Sequence, residues 1–366
     1  MKPPYRNVGE TLVVSRNGRG QAPPLQGKKE VSSMNEYRNV MICGEIADGG
    51  IAAITRELLG IGRKLADDAG EEVVALLIGH NIGDAGNETI AFGADKVYVV
   101  DDPLLTDYNT DCYTESAIRV ISEVSPSILL LGQTDMGRDL APRLAAKLET
   151  ALCTDCIDLG IDPDTKLLLQ TRPIYGGNAN AVMVSRSARP QMATIRPKSM
   201  SPPERDESRQ GEVISVEPGL DASVMRIKVV DRVKEKAEGV SLEDARVVVA
   251  GGWGIGGAEN FKLIKELADL LGGAVGATRP PCEEGWVPAT IQVGQSGKII
   301  APDLYIAVGI SGAMQHLAGC SGSKNIVAIN KNSEANIFKA ASYGIIGDYE
   351  EVVPAFIEKY TELLAR

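Results

Sequence analysis

The feature that most constrains the fold lies near the C-terminal end, between residues 304 and 331. Residues 304–308 are apolar and predict a buried strand, and the Gly-Ile-Ser-Gly turn at 309–312 leads into a helix start. Residues 326–330 predict the next strand. This order is typical of a parallel sheet, and open α/β sheets bind ligands at the edge where their strands end. The pattern therefore predicts that backbone N–H groups, a hydroxyl, an amide and an imidazole meet at such an edge.

Length and composition indicate a large α/β protein. A chain of 366 residues exceeds what one hydrophobic core usually serves, so two domains are expected. The 39 glycines, together with many Val, Ile and Ala, suit parallel sheets whose central strands are buried on both faces. The formal net charge of -11 argues against binding to nucleic acid, which requires a concentrated basic footprint. We also expect no membrane insertion, because no apolar run is long enough to span a bilayer.

Alternation of strand-like and helix-like segments predicts the fold class. The apolar runs are residues 40–43, 73–78, 96–100 and 128–132. Amphipathic stretches such as 51–67 separate them, which implies right-handed βαβ units. A second such pattern starts near residue 245. We therefore predict an α/β protein with two domains, each a mostly parallel sheet with helices on both faces. The predicted divisions are a flexible extension at 1–35, an N-terminal domain at 36–232, a linker at 233–244 and a C-terminal domain at 245–366.

The N-terminal segment and the cysteines bear on where the protein resides. Residues 1–33 are rich in Pro, Gly and charge, lack the apolar core of a secretory signal, and contain acidic residues that a transit peptide avoids. Met34 is an alternative start. The six cysteines are scattered rather than arranged as a framework, which favours reduced thiols and a cytoplasmic location.

Cys153 and Cys156 have the spacing of a redox or zinc pair, but the rest of a metal site is missing. Four-coordinate zinc needs two more ligands, and the sequence offers neither a second cysteine pair nor a histidine pair, since its two histidines are His80 and His316. We interpret the pair as two small buried thiols in a loop and predict no metal site.

A glycine loop at 251–257 formally matches a dinucleotide-binding fingerprint through Gly252, Gly254 and Gly257. The acidic residue expected about twenty positions later is missing, and Arg279 lies near that place instead. An oxidoreductase domain that binds NAD, or NADP through Arg279, therefore stays an alternative of a different class. The glycines also fit a loop that lets the backbone approach a ligand closely.

Three further segments place hydrogen-bonding groups at strand ends. Thr278 and Arg279 follow a short strand, residues 292–298 lie between turns, and residues 309–316 close another strand. Each segment alone has a structural explanation, such as a surface ion pair for Arg279 or a helix cap for His316. Their occurrence within about forty residues of one another favours a ligand site.

The amino-acid sequence of these segments resembles that of the electron transfer flavoprotein α subunit family. Residues 304–319 and the Gly-Gln-Ser-Gly-Lys motif at 294–298 are the specific part of the resemblance. The N-terminal region also resembles the family in sequence, at residues 58–64, 93–99, 137–143 and 189–196. The resemblance covers nearly the whole chain after Asn39. It implies that the C-terminal domain binds FAD and is of Rossmann-like, DHS-like type.

The resemblance also implies which residues contact FAD. The implied contacts are Trp253, Thr278, Arg279, Val293, Gly294, Gln295, Ser296, Ser311, Gly312, Ala313, Met314, Gln315, His316, Asn330, Asp348 and Tyr349. Arg279 and His316 are the candidates for the positive charge and hydrogen-bond donors that stabilise a flavin after it accepts an electron. Ser296 is the candidate partner of flavin N5. Asn330 and Asp348 are the candidates for the adenosine and ribitol side.

Trp253 departs from the family, which commonly has an arginine at this place in the glycine loop. The change removes a cation near the phosphates and offers a stacking surface instead. Ser296 and Thr278 stand where the family often has Thr and Ser, so the hydroxyl chemistry is kept.

The resemblance implies a heterodimer with an electron transfer flavoprotein β subunit, with the N-terminal domain building most of the contact. Electrons would arrive from a flavoenzyme such as an acyl-CoA dehydrogenase and leave to an acceptor such as a membrane quinone reductase. No catalytic residue is needed for this role. An alternative with the same fold is the α subunit of an electron-bifurcating flavoprotein, which takes electrons from NADH through a second FAD in the β subunit.

Overall fold

The computed structural model describes residues 13–15, 37–47, 49–177, 179–221, 223, 225–227, 229–231, 240–243 and 245–364. The predicted extension at 1–35 is described only at 13–15, and the predicted linker at 233–244 only at 240–243, so most of both lies outside the described residues. Two compact units make up the chain: Met1–Ile174 with Ala179–Arg232, and Tyr175–Asn178 with Val233–Arg366. No helix of the described residues is both long and apolar enough to cross a membrane.

The first unit contains the following elements. Its strands are β1 (Val13–Ser15), β2 (Val40–Gly44), β3 (Ile46–Ala47), β4 (Gly50–Ile51), β5 (Val73–Gly79), β6 (Lys96–Asp101), β7 (Ile128–Gly132), β8 (Leu152–Cys156), β9 (Asp158–Ile161), β10 (Leu168–Ile174), β11 (Ala179–Met183), β12 (Gln191–Ile195) and β13 (Glu212–Ser215). Its α-helices are α1 (Ala53–Ala69), α2 (Ala85–Ala91), α3 (Thr110–Val124) and α4 (Asp135–Lys147).

A parallel sheet in the order β13-β6-β5-β2-β7-β12-β8 forms the centre of the first unit. Successive residues of a strand point to opposite faces, and both faces of β2 are buried. Ile42 packs in one core with Leu58 of α1, and Met41 packs in the other with Leu140 of α4. Helices therefore cover both faces, which confirms the predicted fold class for this unit.

An additional antiparallel sheet, β1-β11-β10-β9, was not apparent from the sequence. The described strand of the predicted extension, β1, pairs with β11. Cys153 and Cys156 lie on β8 rather than in a loop, and both are buried. Their sulfur atoms are 3.5 Å apart, and the hydrogen bond to Cys153 together with burial raises the pKa of the Cys156 thiol.

The second unit contains a parallel sheet in the order β15-β14-β16-β17-β18. The strands are β14 (Val247–Gly251), β15 (Ala274–Ala277), β16 (Leu304–Val308), β17 (Asn325–Asn330) and β18 (Tyr343–Ile346). The α-helices are α5 (Phe261–Leu270), α6 (Arg279–Glu283), α7 (Met314–Cys320), α8 (Ile337–Ala340) and α9 (Tyr349–Leu364). The chain leaves β14 towards β15 on one side and returns to β16 on the other. The carboxyl ends of β14 and β16 therefore border a topological switch point, where open sheets hold ligands.

Helix α5 shows how the sequence builds this unit. Its buried residues Phe261, Ile264, Leu267 and Ala268 recur at helical spacing and form one apolar stripe. The stripe packs in a core with Val249 of β14, and each large side chain contributes about 1.5–3 kcal/mol on burial. The opposite face of the sheet packs against both α7 and α8, so helices cover both faces here as well.

Candidate functional site

A cavity of about 800 Å³ lies at the carboxyl ends of the strands in the second unit. Its volume is in the range of about 300–1,000 Å³ that is usual for small-molecule and cofactor sites. Twelve of the predicted contact residues line it. They are Trp253, Thr278, Arg279, Val293, Gly294, Gln295, Ser296, Ser311, Ala313, Gln315, His316 and Asn330.

The other four predicted contact residues lie outside this cavity, in the same unit. Gly312 and Met314 lie in the turn before and at the start of α7 but do not line the cavity. Asp348 and Tyr349 line a separate cavity of about 40 Å³, which Asn330 also borders. Lining residues that were not predicted as contacts are Gly254, Pro280, Gln292, Gly309, Ile310, Asn332 and Ala335.

Backbone-to-backbone contact between two glycine turns forms one wall of the cavity. The Gly254 N–H donates to the Gly309 carbonyl oxygen at 2.9 Å, and the Gly252 N–H donates to that of Val308 at 2.9 Å. Gly309 has φ +62, and a Cβ there would lie 2.9 Å from the carbonyl carbon of Gly254. Only glycine accepts both the left-handed conformation and this approach without strain.

The turn after β16 carries free backbone donors. The Ser311 carbonyl oxygen accepts from the Ile337 N–H at 3.1 Å, which fixes the turn against α8. Within the described part of the chain, no backbone acceptor is recorded for the N–H groups of Ser311 and Gly312. Consecutive N–H groups in such a turn suit an anion such as a phosphate.

His316 is buried and holds two protein groups. Its Nδ1 lies 3.0 Å from the Val293 carbonyl oxygen and its Nε2 lies 2.9 Å from the Tyr305 hydroxyl. A carbonyl oxygen only accepts, so Nδ1 carries the proton and Nε2 of the neutral ring accepts from Tyr305. Burial lowers the pKa of His316 to about 4, opposed in part by the Val293 bond. As the ring stands here it is neutral and both of its nitrogens have protein partners, so it does not itself supply the expected positive charge, and its contact with FAD stays a prediction.

Arg279 is the cation at the cavity. It begins α6 and its Nε lies 2.7 Å from Glu283, four residues later on the same helix. About two-thirds of its side chain is exposed, so the guanidinium can move between Glu283 and the cavity at little cost. The Thr278 N–H donates to the Gly251 carbonyl oxygen at 3.0 Å and ties the start of α6 to β14.

Ser296 and Asn330 are placed by other amides. The Ser296 hydroxyl accepts from Gln292 Nε2 at 3.0 Å, while its own proton is available to a further acceptor. Asn330 Nδ2 donates to the Ile310 carbonyl oxygen at 2.9 Å, and its Oδ1 accepts from the Asn332 N–H at 2.9 Å. Asn330 therefore joins the turns that follow β16 and β17.

Asp348 and Tyr349 have structural partners. The Tyr349 hydroxyl donates to the Ile255 carbonyl oxygen at 2.8 Å and so ties α9 to the glycine loop. Burial, followed by the charge of Glu350, raises the pKa of Tyr349 to about 12. Asp348 accepts from the Glu350 N–H at 3.1 Å at the start of α9. Asp348 and Tyr349 lie at the start of α9, where Tyr349 contacts the glycine loop, and neither lines the large cavity.

The cavity thus combines the N–H group of Ser311, an exposed cation, hydroxyl and amide groups, and the indole of Trp253. A dinucleotide cofactor requires backbone donors in a close glycine turn for its phosphates and a broad space for its flat rings. The cavity offers both. The residues present fit FAD.

Comparison with known proteins agrees with this fit. An electron transfer flavoprotein domain model matches residues 40–220, and an electron transfer flavoprotein FAD-binding domain model matches residues 241–321. The electron transfer flavoprotein subunit alpha of Thermoanaerobacterium thermosaccharolyticum is 49% identical over 90% of this chain and 100% of its own length.

Two other relatives are similar over comparable spans. The electron transfer flavoprotein subunit alpha of Megasphaera elsdenii is 46% identical over 88% of this chain and 96% of its own length. Protein FixB of Azorhizobium caulinodans is 41% identical over 92% of this chain and 93% of its own length. The chain therefore belongs to the electron transfer flavoprotein α subunit family, and FAD is its cofactor.

Proposed function

We propose that this protein is the α subunit of a heterodimer and carries electrons, through FAD, from a dehydrogenase to a second redox protein. An acyl-CoA dehydrogenase is the proposed donor and a membrane quinone reductase the proposed acceptor. The observation that carries the proposal is the cavity at the switch point of the second unit, which has binding groups and an exposed cation but keeps its histidine neutral and engaged.

The residues of the cavity hold the cofactor and adjust its affinity for electrons. FAD supplies reversible electron uptake when bound. We propose that the Ser311 N–H group, which lies at the cavity, binds a phosphate of FAD and that Arg279 stabilises negative charge on the flavin. His316 acts indirectly, because it fixes the segment at Val293 that leads to Gln295 and Ser296. No proton transfer by the protein is required for electron carriage.

A β subunit is the proposed partner of this chain. Relatives at 44% to 49% identity carry the name subunit alpha, which implies a second subunit in those proteins. Ile227 and Val230 of the first unit are exposed over 73% and 93% of their surface. The partner-binding role of the N-terminal domain is part of this proposal. We also propose a cytoplasmic location, which fits six cysteines that form no disulfide in the described part of the chain.

Co-expression with the β subunit tests the proposal. We expect a yellow heterodimer with one FAD in the second unit of this chain, reducible by an acyl-CoA dehydrogenase with its substrate and reoxidised by a quinone reductase. Two FAD per heterodimer with oxidation of NADH would instead identify the bifurcating alternative. A colourless complex that retains NADP, or a flavin that no dehydrogenase reduces, would contradict the proposal.

A further inference from the structure

Trp253 and Trp286 are the two tryptophans of the chain, and they meet beside the FAD cavity. Their ring centroids are 4.9 Å apart and their planes differ by 17°, so the rings are stacked. Trp286 is partly buried and packs against the core formed by α5 and α9. The backbone N–H of Trp286 donates to the Pro281 carbonyl oxygen at 3.0 Å and fixes the chain just after α6. Trp253 therefore rests on a fixed support.

Trp253 is held by the backbone of its turn, and much of its side chain is exposed. Its turn is fixed by the hydrogen bond from Gly254 to Gly309 at 2.9 Å. More than half of the side chain, 55%, is exposed, although it lines the cavity. Among the described residues, Trp286 is the one aromatic ring recorded against it. An indole supported on one side and open on the other, at the edge of a cofactor cavity, is arranged for stacking rather than for core packing.

We propose that Trp253 is a positioning residue that stacks on a flat ring of FAD and continues the Trp286–Trp253 stack into the cavity. The inference rests on FAD as the cofactor and does not depend on which proteins exchange electrons with it. An indole carries no charge, so it offers the phosphates little, whereas flavin and adenine both present planar faces that stack on aromatic side chains. Both rings share this chemistry, and the experiment separates them.

FAD-depleted heterodimer is titrated with FAD, with FMN, which lacks the adenosine, and with ADP, which lacks the flavin. We expect Trp253→Leu to weaken FAD binding about tenfold and Trp253→Phe, which keeps a ring, to weaken it less than about threefold. An equal loss for FMN assigns the stack to the flavin. A loss confined to FAD and ADP assigns it to adenine. Unchanged FAD affinity in Trp253→Leu overturns the proposal.

Fluorescence gives a second readout that a merely structural role would not change. With the β subunit held constant, Trp286→Phe leaves Trp253 as the tryptophan of this chain, and Trp253→Phe leaves Trp286. A ring in contact with FAD is quenched on binding, so the emission lost on adding FAD should be larger in Trp286→Phe than in Trp253→Phe. Larger quenching in Trp253→Phe would place Trp286, and not Trp253, against the cofactor and overturn the proposal.

Discussion

At the residue scale, His316 shows how burial and two hydrogen bonds give a titratable side chain a structural role in the cavity wall. Its partners come from β16 and from the loop at Val293, so one ring joins two walls of the cavity. Neutrality follows from this geometry, since protonation would force Nε2 to donate where the Tyr305 hydroxyl now does. Positive charge at the cavity comes from Arg279 instead.

The lowered pKa of His316 predicts acid sensitivity. The unfolded chain takes up the proton near pH 6.5 and the folded protein only near pH 4, so the unfolded state binds more protons between these values. Stability should fall as pH decreases through this window, by about 3 kcal/mol in total, and should not change from this source above pH 7. Denaturant unfolding at pH 7, 5.5 and 4 measures the effect. His316→Gln should be less stable at pH 7 but lose less on acidification, and an equal loss in both would contradict the assignment.

Removing the guanidinium should make the flavin harder to reduce. Arg279→Ala is expected to lower the potential of bound FAD by about 40 mV for one electron, or about 1 kcal/mol, because an exposed cation is partly screened. Arg279→Lys should recover part of the change, since it restores the charge without the planar fork. Glu283→Gln is the matched control: it frees Arg279 from its ion pair and should shift the potential the other way. A potential unchanged in Arg279→Ala would exclude Arg279 as a flavin contact.

At the scale of elements, the site depends on turns that lie against each other through their backbones. Gly312 illustrates this, because its φ is +80 and a Cβ would lie 2.2 Å from the backbone nitrogen of Ile337. That nitrogen donates to the Ser311 carbonyl oxygen, so the same contact shapes the turn that carries the free N–H groups.

Gly312→Ala should therefore disturb both folding and cofactor binding. Strain at this φ and the clash with Ile337 together are expected to cost more than about 2 kcal/mol of unfolding free energy, with loss of most FAD. Gly160→Ala is a suitable control, since a Cβ at Gly160 meets no atom within 4 Å and should change stability by less than about 1 kcal/mol. FAD content by absorbance and chemical unfolding would measure both. Full FAD occupancy in Gly312→Ala would show that the turn accommodates the added Cβ and would contradict this prediction.

Elements with a strong local signal could be predicted from the sequence. The strands β14, β16 and β17 are apolar runs that end in polar turns, so the pattern alone predicted these strands and a site at their carboxyl ends. The strands β9 to β11 are partly exposed and show no continuous buried run, and β11 also pairs with the distant β1. Likewise, Asn332 and Ala335 line the cavity because β17 lies beside β16, and no local pattern marks them. The partners of His316 depend on the same packing.

At the scale of the whole molecule, the FAD cavity and the additional antiparallel sheet belong to different units. The FAD cavity is formed entirely by residues of the second unit. The first unit contains a parallel sheet with buried faces and the additional antiparallel sheet, in which β1 pairs with β11 through Val13↔Val182, Val14↔Ala181 and Ser15↔Asn180. Changes in the segment that carries β1 should therefore alter the first unit without altering the cofactor site.

Deletion of the residues before Met34 tests this separation. The deletion removes β1 but leaves the three other strands of its sheet and every residue that lines the cavity. We expect flavin occupancy and the rate of electron transfer to stay within about twofold of the full chain, because no site residue is lost. Absorbance of the purified heterodimer and reduction by its dehydrogenase provide the two measurements, each compared with the full chain. Loss of flavin would mean that this segment supports the fold of the second unit, whereas retained flavin with lost association to the dehydrogenase would identify the segment as a partner-binding arm.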